Sequence, residues 1–374
     1  MKKKEIAEIK KQLSIVNCNI TRIATCLVAQ EKECIPLKTE AFLSLPEEEM
    51  FKYFDLFQKA LSGSLGKNLF DVQFPREDRN EKQSYMELLR KSRLEDEQVL
   101  EEFYKKAAKT YEYNDNYLII LIHGMYDIPG RGSDNAELFD ASEEVYEYIQ
   151  CIFCPVSLSK PGLTFSLEEN RIKDRIRDRI VEKPMDGFLY PAFNERTADI
   201  NELLYYTKKS SETQVSFLEC LTGNVRPASD EEKKEWMKQA FSYSSEDETV
   251  TLRQVQNFFE KYHELIEETN DDFSFSSKEM RKLTEASGIG ETQAEKIEKG
   301  FVNELGTNVS ASGFMDTKSF TLQAGATQIK TSPEHAGDLT VKRIDGRLSL
   351  VIPLETSEAE INGIAARLID ADKN

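Results

Sequence analysis

The sequence lacks a long apolar run and has few histidines. Its longest apolar stretch, "YLIILI" at residues 117–122, is far too short to span a bilayer and indicates a buried strand. The N-terminus begins with lysines, but no apolar segment of a secretory signal follows them. We therefore expect a cytoplasmic protein that does not associate with membranes.

Familiar catalytic and metal-binding signatures are also missing. The chain contains no GxSxG, HExxH or Walker loop, and its three histidines, at 123, 263 and 335, are widely spaced. Six cysteines in a chain of 374 residues do not form a disulfide framework. Cys151 and Cys154 form a CxxC, but the apolar residues between them are typical of strand core. We predict no metal and no cofactor.

Positive charge is scarce. There are 49 Lys and Arg residues against 67 Asp and Glu residues, which gives a formal net charge of −18. The long-range field of such a protein repels nucleic acids and anionic lipids. Any contact with DNA or RNA must therefore depend on a local patch.

The chain is long enough for two or three domains, and its pattern changes twice. Residues 1–225 alternate helices and strands, which predicts an α+β (or α/β) domain with a mixed sheet. Residues 226–306 are helical. Residues 307–374 have a strand period and two turn dipeptides, Asp345-Gly346 and Asn362-Gly363, and therefore form a small all-β module.

The stretch "ASGIGETQAEKI" at residues 286–297 has the spacing of a helix-hairpin-helix element. Gly288, Ile289 and Gly290 form the Gly-hydrophobe-Gly turn, and Ala294 and Ile297 follow at helical spacing. In such a turn the glycines allow backbone amides to approach a phosphate at the start of the second helix. The alternative is a tight turn between two packed helices.

The charges near this turn are nearly balanced. Residues 277–305 contain six acidic residues and five basic ones, and Glu291 stands where members of the helix-hairpin-helix family often have Lys or Arg. Affinity for a nucleic-acid backbone depends on neutralising phosphates, so we expect at most weak binding to DNA or RNA. The lysines that would contribute are Lys278, Lys282, Lys296 and Lys299.

A second basic segment covers residues 169–183. Its isoleucines and arginines recur every four residues, which predicts a helix with an anion-binding line of Arg171, Arg175 and Arg179. Acidic residues are interspersed along the same stretch. A salt-bridged surface helix is therefore the alternative interpretation.

A candidate catalytic pair follows the apolar strand. His123 and Asp127 lie in "IHGMYDIPGRGSD", residues 122–134, which we predict to be a strand-to-loop transition of the kind that often hosts active sites. A hydrolase is the corresponding hypothesis, and it requires an exposed His123 beside a cleft. The alternative is a buried structural histidine.

Four stretches, "AFLSLPEEEMFKYFDLFQKALSG", "CPVSLSKPGL", "GFLYPAFNERTADINELLYY" and "IDGRLSLVIP", resemble an uncharacterised bacterial family, the domain of unknown function 4317 family. The resemblance covers most of the chain. It implies a bacterial cytoplasmic protein and identifies no catalytic residue. The leading hypothesis is a non-enzymatic binding or scaffold protein. The alternatives are the hydrolase and an adaptor whose β-module binds a protein partner along an exposed strand edge.

Overall fold

The computed structural model describes residues 1–75, 81–131, 137–138, 144–242, 250–269, 273–306, 308–354, 356–361 and 364–368. Contacts within the chain divide it into two compact units, Met1–Ser229 (unit 1) and Asp230–Asn374 (unit 2). The division of the chain into three parts, at 225/226 and 306/307, stays a prediction.

Unit 1 combines helices with many strands. Its helices are α1 (Lys3–Gln12), α2 (Glu47–Lys59), α3 (Glu81–Lys91), α4 (Glu97–Thr110) and α5 (Val215–Thr222). Its strands are β1 (Ile20–Val28), β2 (Cys34–Pro36), β3 (Glu40–Ala41), β4 (Leu69–Gln73), β5 (Tyr117–Ile128), β6 (Gly130–Arg131), β7 (Glu137–Leu138), β8 (Glu144–Leu158), β9 (Leu163–Ser166), β10 (Arg171–Asp174), β11 (Arg179–Val181), β12 (Asp186–Tyr190), β13 (Ala192–Asn194), β14 (Thr197–Asp199) and β15 (Glu202–Thr207).

One large antiparallel sheet organises unit 1. Its strand order is β2-β1-β5-β8-β12-β15-β4, with β3 paired to β1 and β11 paired to β8. Because successive side chains on a strand point to opposite faces, each central strand contributes to two cores. One core contains Phe103 of α4 and Phe217 of α5, and the other contains Ile9 of α1 and Phe57 of α2. Burial on both faces explains the continuous apolar run of β5.

Unit 2 has four described helices and short strand pairs. The helices are α6 (Asp230–Ala240), α7 (Leu252–Thr269), α8 (Ser277–Ala286) and α9 (Glu291–Glu304). The strands are β16 (Ser274–Ser276), β17 (Asn308–Ser310), β18 (Phe320–Ala324), β19 (Thr327–Thr331), β20 (Thr340–Ile344), β21 (Arg347–Val351), β22 (Glu358–Ile361) and β23 (Ile364–Arg367). A core centred on Trp236, Tyr262 and Phe301 joins the helices.

The structure confirms the α+β class and the small β-hairpins of the C-terminal region. β20 and β21 flank Asp345-Gly346, where both residues have the positive φ of a type I′ turn, +48° and +75°. The other dipeptide, Asn362-Gly363, lies outside the described residues, although β22 and β23 on either side of it pair antiparallel.

The interpretation of "CIFC" as strand core is also confirmed. Cys151 and Cys154 are buried in β8, three positions apart, so their thiols belong to the two different cores of unit 1. Two thiols on opposite faces of a sheet cannot hold the same ion. Among the described helices, none is long and apolar enough to cross a membrane.

Candidate functional site

The glycine-containing turn joins α8 to α9, and its central residue, Ile289, is buried. Ile289 is 4% exposed, and Ala294 and Ile297 of α9 are buried. Gly288 follows α8 with a φ of +85°, a conformation that residues with a side chain rarely adopt. Gly290 is the N-cap of α9 and has an ordinary φ of −63°. The predicted spacing therefore corresponds to two packed helices with a buried isoleucine in the turn between them.

Gly290 lies at an open surface. A Cβ atom at this position would meet no described atom within 4 Å, and no described side chain caps the first turn of α9. The first amides of a helix have no intrahelical acceptors and carry partial positive charge. The four lysines predicted to contribute, Lys278, Lys282, Lys296 and Lys299, are all exposed on α8 and α9.

Acidic side chains occupy the same surface. Arg281 of α8 has a nitrogen 2.7 Å from a carboxylate oxygen of Glu285, 3.2 Å from one of Glu298 and 3.5 Å from one of Glu291. Glu291, the first residue of α9, is 85% exposed. Arg281 is thus engaged by neighbouring glutamates, and Lys299 Nζ of α9 lies 2.7 Å from a carboxylate oxygen of Glu295.

His123 lies inside the sheet. The predicted loop after it is wrong, because β5 continues through His123 to Ile128. The side chain is 0% exposed, with Nε2 3.1 Å from Glu147 Oε1 and Nδ1 2.6 Å from Thr21 Oγ1. Because a carboxylate only accepts hydrogen bonds, Nε2 carries the proton that it donates to Glu147. This is the satisfied structural histidine of the alternative interpretation.

The predicted pairing of His123 with Asp127 is also wrong. Residues four apart on a strand are separated by about 13 Å, and Asp127 is exposed near the end of β5. The carboxylate comes instead from Glu147 on β8. Glu147 lies opposite Met125 and therefore diagonal to His123 on the same face of the sheet. The remainder of the predicted loop, residues 132–134, lies outside the described residues.

Glu147 connects His123 to a network of charged side chains at the interface of the sheet and α3. Arg90 donates to Glu147 and to Glu87, both at 2.9 Å, and the Tyr190 hydroxyl donates to Glu87 at 3.0 Å. Burial lowers the pKa of His123, against the opposing effect of Glu147. Burial also acts to raise the pKa of Glu87, but the hydrogen bonds and charge of Arg90, together with hydrogen bonds from Tyr190 and Lys91, outweigh it and the pKa is lowered. The network therefore holds a neutral imidazole between fixed charges.

The helix predicted over residues 169–183 is wrong. This segment forms β10 and β11, and its isoleucines are exposed, Ile176 most of all at 81%. An interval of four residues places side chains on one face of a strand as well as of a helix, so the spacing could not distinguish the two. Arg171, Arg175 and Arg179 are exposed. Their binding of an anion stays a prediction.

A cavity of about 500 Å³ opens in unit 1 beside the start of β12. Asp186 in its wall is 3% exposed and accepts hydrogen bonds from the hydroxyls of Tyr111 at 2.8 Å and Tyr205 at 2.5 Å. Burial raises the pKa of Asp186 to about 6, although the tyrosine hydrogen bonds act in the opposite direction. Sequence reasoning missed this group. Its only signal was an acidic residue directly before the apolar run "GFLY".

The antiparallel sheet with helices on both faces defines unit 1 as an α+β domain, and the packed helices and β-hairpins of unit 2 complete a two-unit α+β protein. The chain belongs to the family described as a domain of unknown function, DUF4317, whose model matches residues 1–364. This confirms the predicted family. No curated protein matches the chain. The comparison with families does not confirm the resemblance to helix-hairpin-helix proteins.

Proposed function

We propose that this chain is a non-enzymatic binding or scaffold protein of the bacterial cytoplasm, and that unit 2 binds the phosphate backbone of DNA or RNA at Gly288–Gly290. The observation that supports the proposal is the open N-terminus of α9, in a pair of helices that carries exposed lysines. Phosphate oxygens accept hydrogen bonds from such amides, and the positive end of the helix dipole favours the anion.

The surrounding charges set the character of this binding. Glu291 and the other glutamates near the turn repel a polyanion, and the chain as a whole carries −18. Backbone contacts position a protein without reading bases. We therefore expect weak, sequence-independent binding that is detectable at low salt and falls steeply as salt is added.

The hydrolase hypothesis has less support. It requires an exposed histidine, whereas His123 is buried and both of its ring nitrogens lie within hydrogen-bond distance of Thr21 and Glu147. A base in this position has no free nitrogen to take a proton from a substrate. The adaptor hypothesis for the C-terminal strand pairs stays a prediction.

Gly290→Glu is the most direct test of the nucleic-acid proposal. The φ of −63° and ψ of 152° at Gly290 are open to any residue, and the new side chain would extend into free space, so the variant should fold. The added carboxylate would lie where the phosphate binds. We expect fluorescence anisotropy with labelled single- and double-stranded DNA and RNA to show at least a ten-fold loss of affinity at low salt.

Gln323→Glu provides a matched control. Gln323 is exposed on β18, so this change adds the same charge to unit 2 outside the hairpin. The control should retain the affinity of the wild type. Failure of the wild type to bind any of the four nucleic acids at low salt, or equal binding by both variants, would contradict the proposal.

A further inference from the structure

The cavity beside the start of β12 has a buried carboxylate in its wall. Asp186 stands two residues before Phe188 on β12, so its side chain shares the face of the sheet that α4 and α5 cover. The wall of the cavity also includes residues 111–113, which follow α4, and residues 211–216, which lead into α5. The Asp186 carboxylate and the cavity therefore lie on the same side of the large sheet.

Asp186 is buried without a cation. The Tyr111 hydroxyl donates to one carboxylate oxygen at 2.8 Å, and the Tyr205 hydroxyl donates to the other at 2.5 Å. In the described part of the chain, no Lys, Arg or His nitrogen lies within 4 Å of either oxygen. Burying a carboxylate costs free energy unless hydrogen bonds or a cation compensate it. The two hydroxyls compensate part of this cost, and a cation in the cavity would compensate more.

The charges around the cavity leave its inner end negative. Burial raises the pKa of Asp186 to about 6, and the nearby charge of Glu212 acts in the same direction. Because this pKa lies below neutral pH, the carboxylate is mostly ionised there. Lys209 pairs with Glu212 at 2.7 Å, and Lys208 is exposed to solvent, which screens its charge. A buried, ionised group of this kind in a cavity wall is typical of binding sites.

The size and lining of the cavity indicate what kind of cation fits. Its volume of about 500 Å³ suits a small organic molecule and is far larger than a bare ion needs. Met185, Tyr113 and Val215 supply apolar contacts in its wall. A protonated amine on a short carbon chain matches both the negative inner end and this apolar lining.

We propose that the cavity binds a small organic molecule through a protonated amine, whose ammonium group donates hydrogen bonds to Asp186. Each carboxylate oxygen can accept more than one hydrogen bond, so the amine binds without displacing Tyr111 or Tyr205. The carbon chain of the ligand would contact Met185 and Val215. The cavity belongs to unit 1, so this site does not depend on the proposed binding of nucleic acid by unit 2.

Three probes of equal chain length, butylamine, butanol and butyrate, test the charge of the ligand on the full chain. At pH 8 Asp186 is ionised and butylamine is protonated. We expect saturation-transfer difference NMR to show binding of butylamine and no binding of butanol or butyrate. Absence of butylamine binding, or binding of butanol or butyrate that is as strong, would overturn the proposal.

Asp186→Asn tests the location of the site. It keeps the shape of the side chain and removes its charge, so the affinity for butylamine in an NMR titration should fall by about ten-fold or more. Asp55→Asn is the matched control, because Asp55 is exposed on α2, which packs on the opposite face of the sheet. The control should retain the affinity of the wild type. Unchanged affinity in Asp186→Asn, or an equal loss in both variants, would contradict the proposal.

Ser216→Trp tests the cavity without altering the carboxylate. Ser216 is exposed in the first turn of α5 and lines the cavity. The added indole would occupy part of the cavity, so we expect weaker binding of butylamine and the circular dichroism spectrum of the wild type. This variant decides the location of the site if Asp186→Asn does not fold. Wild-type affinity in folded Ser216→Trp would place butylamine elsewhere and overturn the proposal.

Discussion

Arg90 in unit 1 and Arg281 in unit 2 each bind more than one glutamate, but in different surroundings. The side chain of Arg90 is 12% exposed and bridges Glu87 and Glu147, which are 16% and 18% exposed. Arg281 is 31% exposed, and its partner Glu291 is 85% exposed. A partly buried ion pair leaves an uncompensated charge when one member is removed, whereas solvent replaces a lost partner at the surface. The first cluster therefore contributes to the stability of the fold, whereas the second contributes little.

The largest expected effect comes from breaking the buried cluster. Arg90→Met keeps an unbranched apolar side chain and removes the cation that Glu87 and Glu147 share, which leaves Lys91 beside Glu87 and Arg93 beside Glu147, each at 3.2 Å. We expect the free energy of unfolding to fall by about 3 kcal/mol at neutral pH. Denaturant unfolding followed by circular dichroism measures the change, and the fluorescence of Trp236, the sole tryptophan, reports on unit 2.

Arg281→Met is the control at the exposed cluster. Its unfolding midpoint should match that of the wild type because solvent can hydrate the released glutamates. If Arg90→Met and Arg281→Met were equally stable, the comparison between the two clusters would fail.

A second prediction concerns another buried charge of unit 1, Asp186. Its pKa rises from 3.8 in the unfolded chain to about 6 in the folded protein, so the folded state binds the proton more tightly. The contribution of Asp186 to the free energy of unfolding is fully present below pH 3.8 and is lost as the pH rises through 6. Relative to Asp186→Asn, the wild type should lose about 3 kcal/mol between pH 3.8 and pH 7.

Measuring the free energy of unfolding of the wild type and of Asp186→Asn at each pH isolates the contribution of Asp186. His123 acts in the opposite direction, because burial depresses its pKa and its contribution is lost as the pH falls below 6.5. Since both chains contain His123, its effect cancels in the difference. A difference that stays constant from pH 3.8 to pH 7 would show that Asp186 titrates normally.

Local signals predicted much of the fold correctly. Pro46 and the three glutamates after it predicted the start of α2, the apolar run from Tyr117 predicted β5, and Asp345-Gly346 predicted a hairpin. In each case the determining residues are neighbours in sequence. The turn at Gly288 belongs to the same class, since its packing depends on residues within two adjacent helices.

The errors arose where distant segments decide the structure. The partner of His123 is Glu147, which comes from a different strand, and no spacing within residues 122–134 could identify it. The Tyr111 and Tyr205 hydroxyls reach Asp186 from far along the chain in both directions. The helix prediction for residues 169–183 was wrong for another reason. An interval of four residues fits the period of a helix and that of a strand, and pairing with β8 and β9 favoured strands.

The smallest expected effect is on binding rather than stability, and it tests whether lysines of α8, the helix that carries Arg281, contact phosphates. Lys278 and Lys282 are exposed on α8, so Lys278→Gln with Lys282→Gln should leave the unfolding midpoint unchanged. If both lysines contact phosphates, the slope of log affinity against log salt concentration should become shallower by about two. Anisotropy titrations at several salt concentrations measure this slope. An unchanged slope would move the phosphate contacts away from α8 and leave the amides of α9 and the lysines at 296 and 299 as the contacts to test.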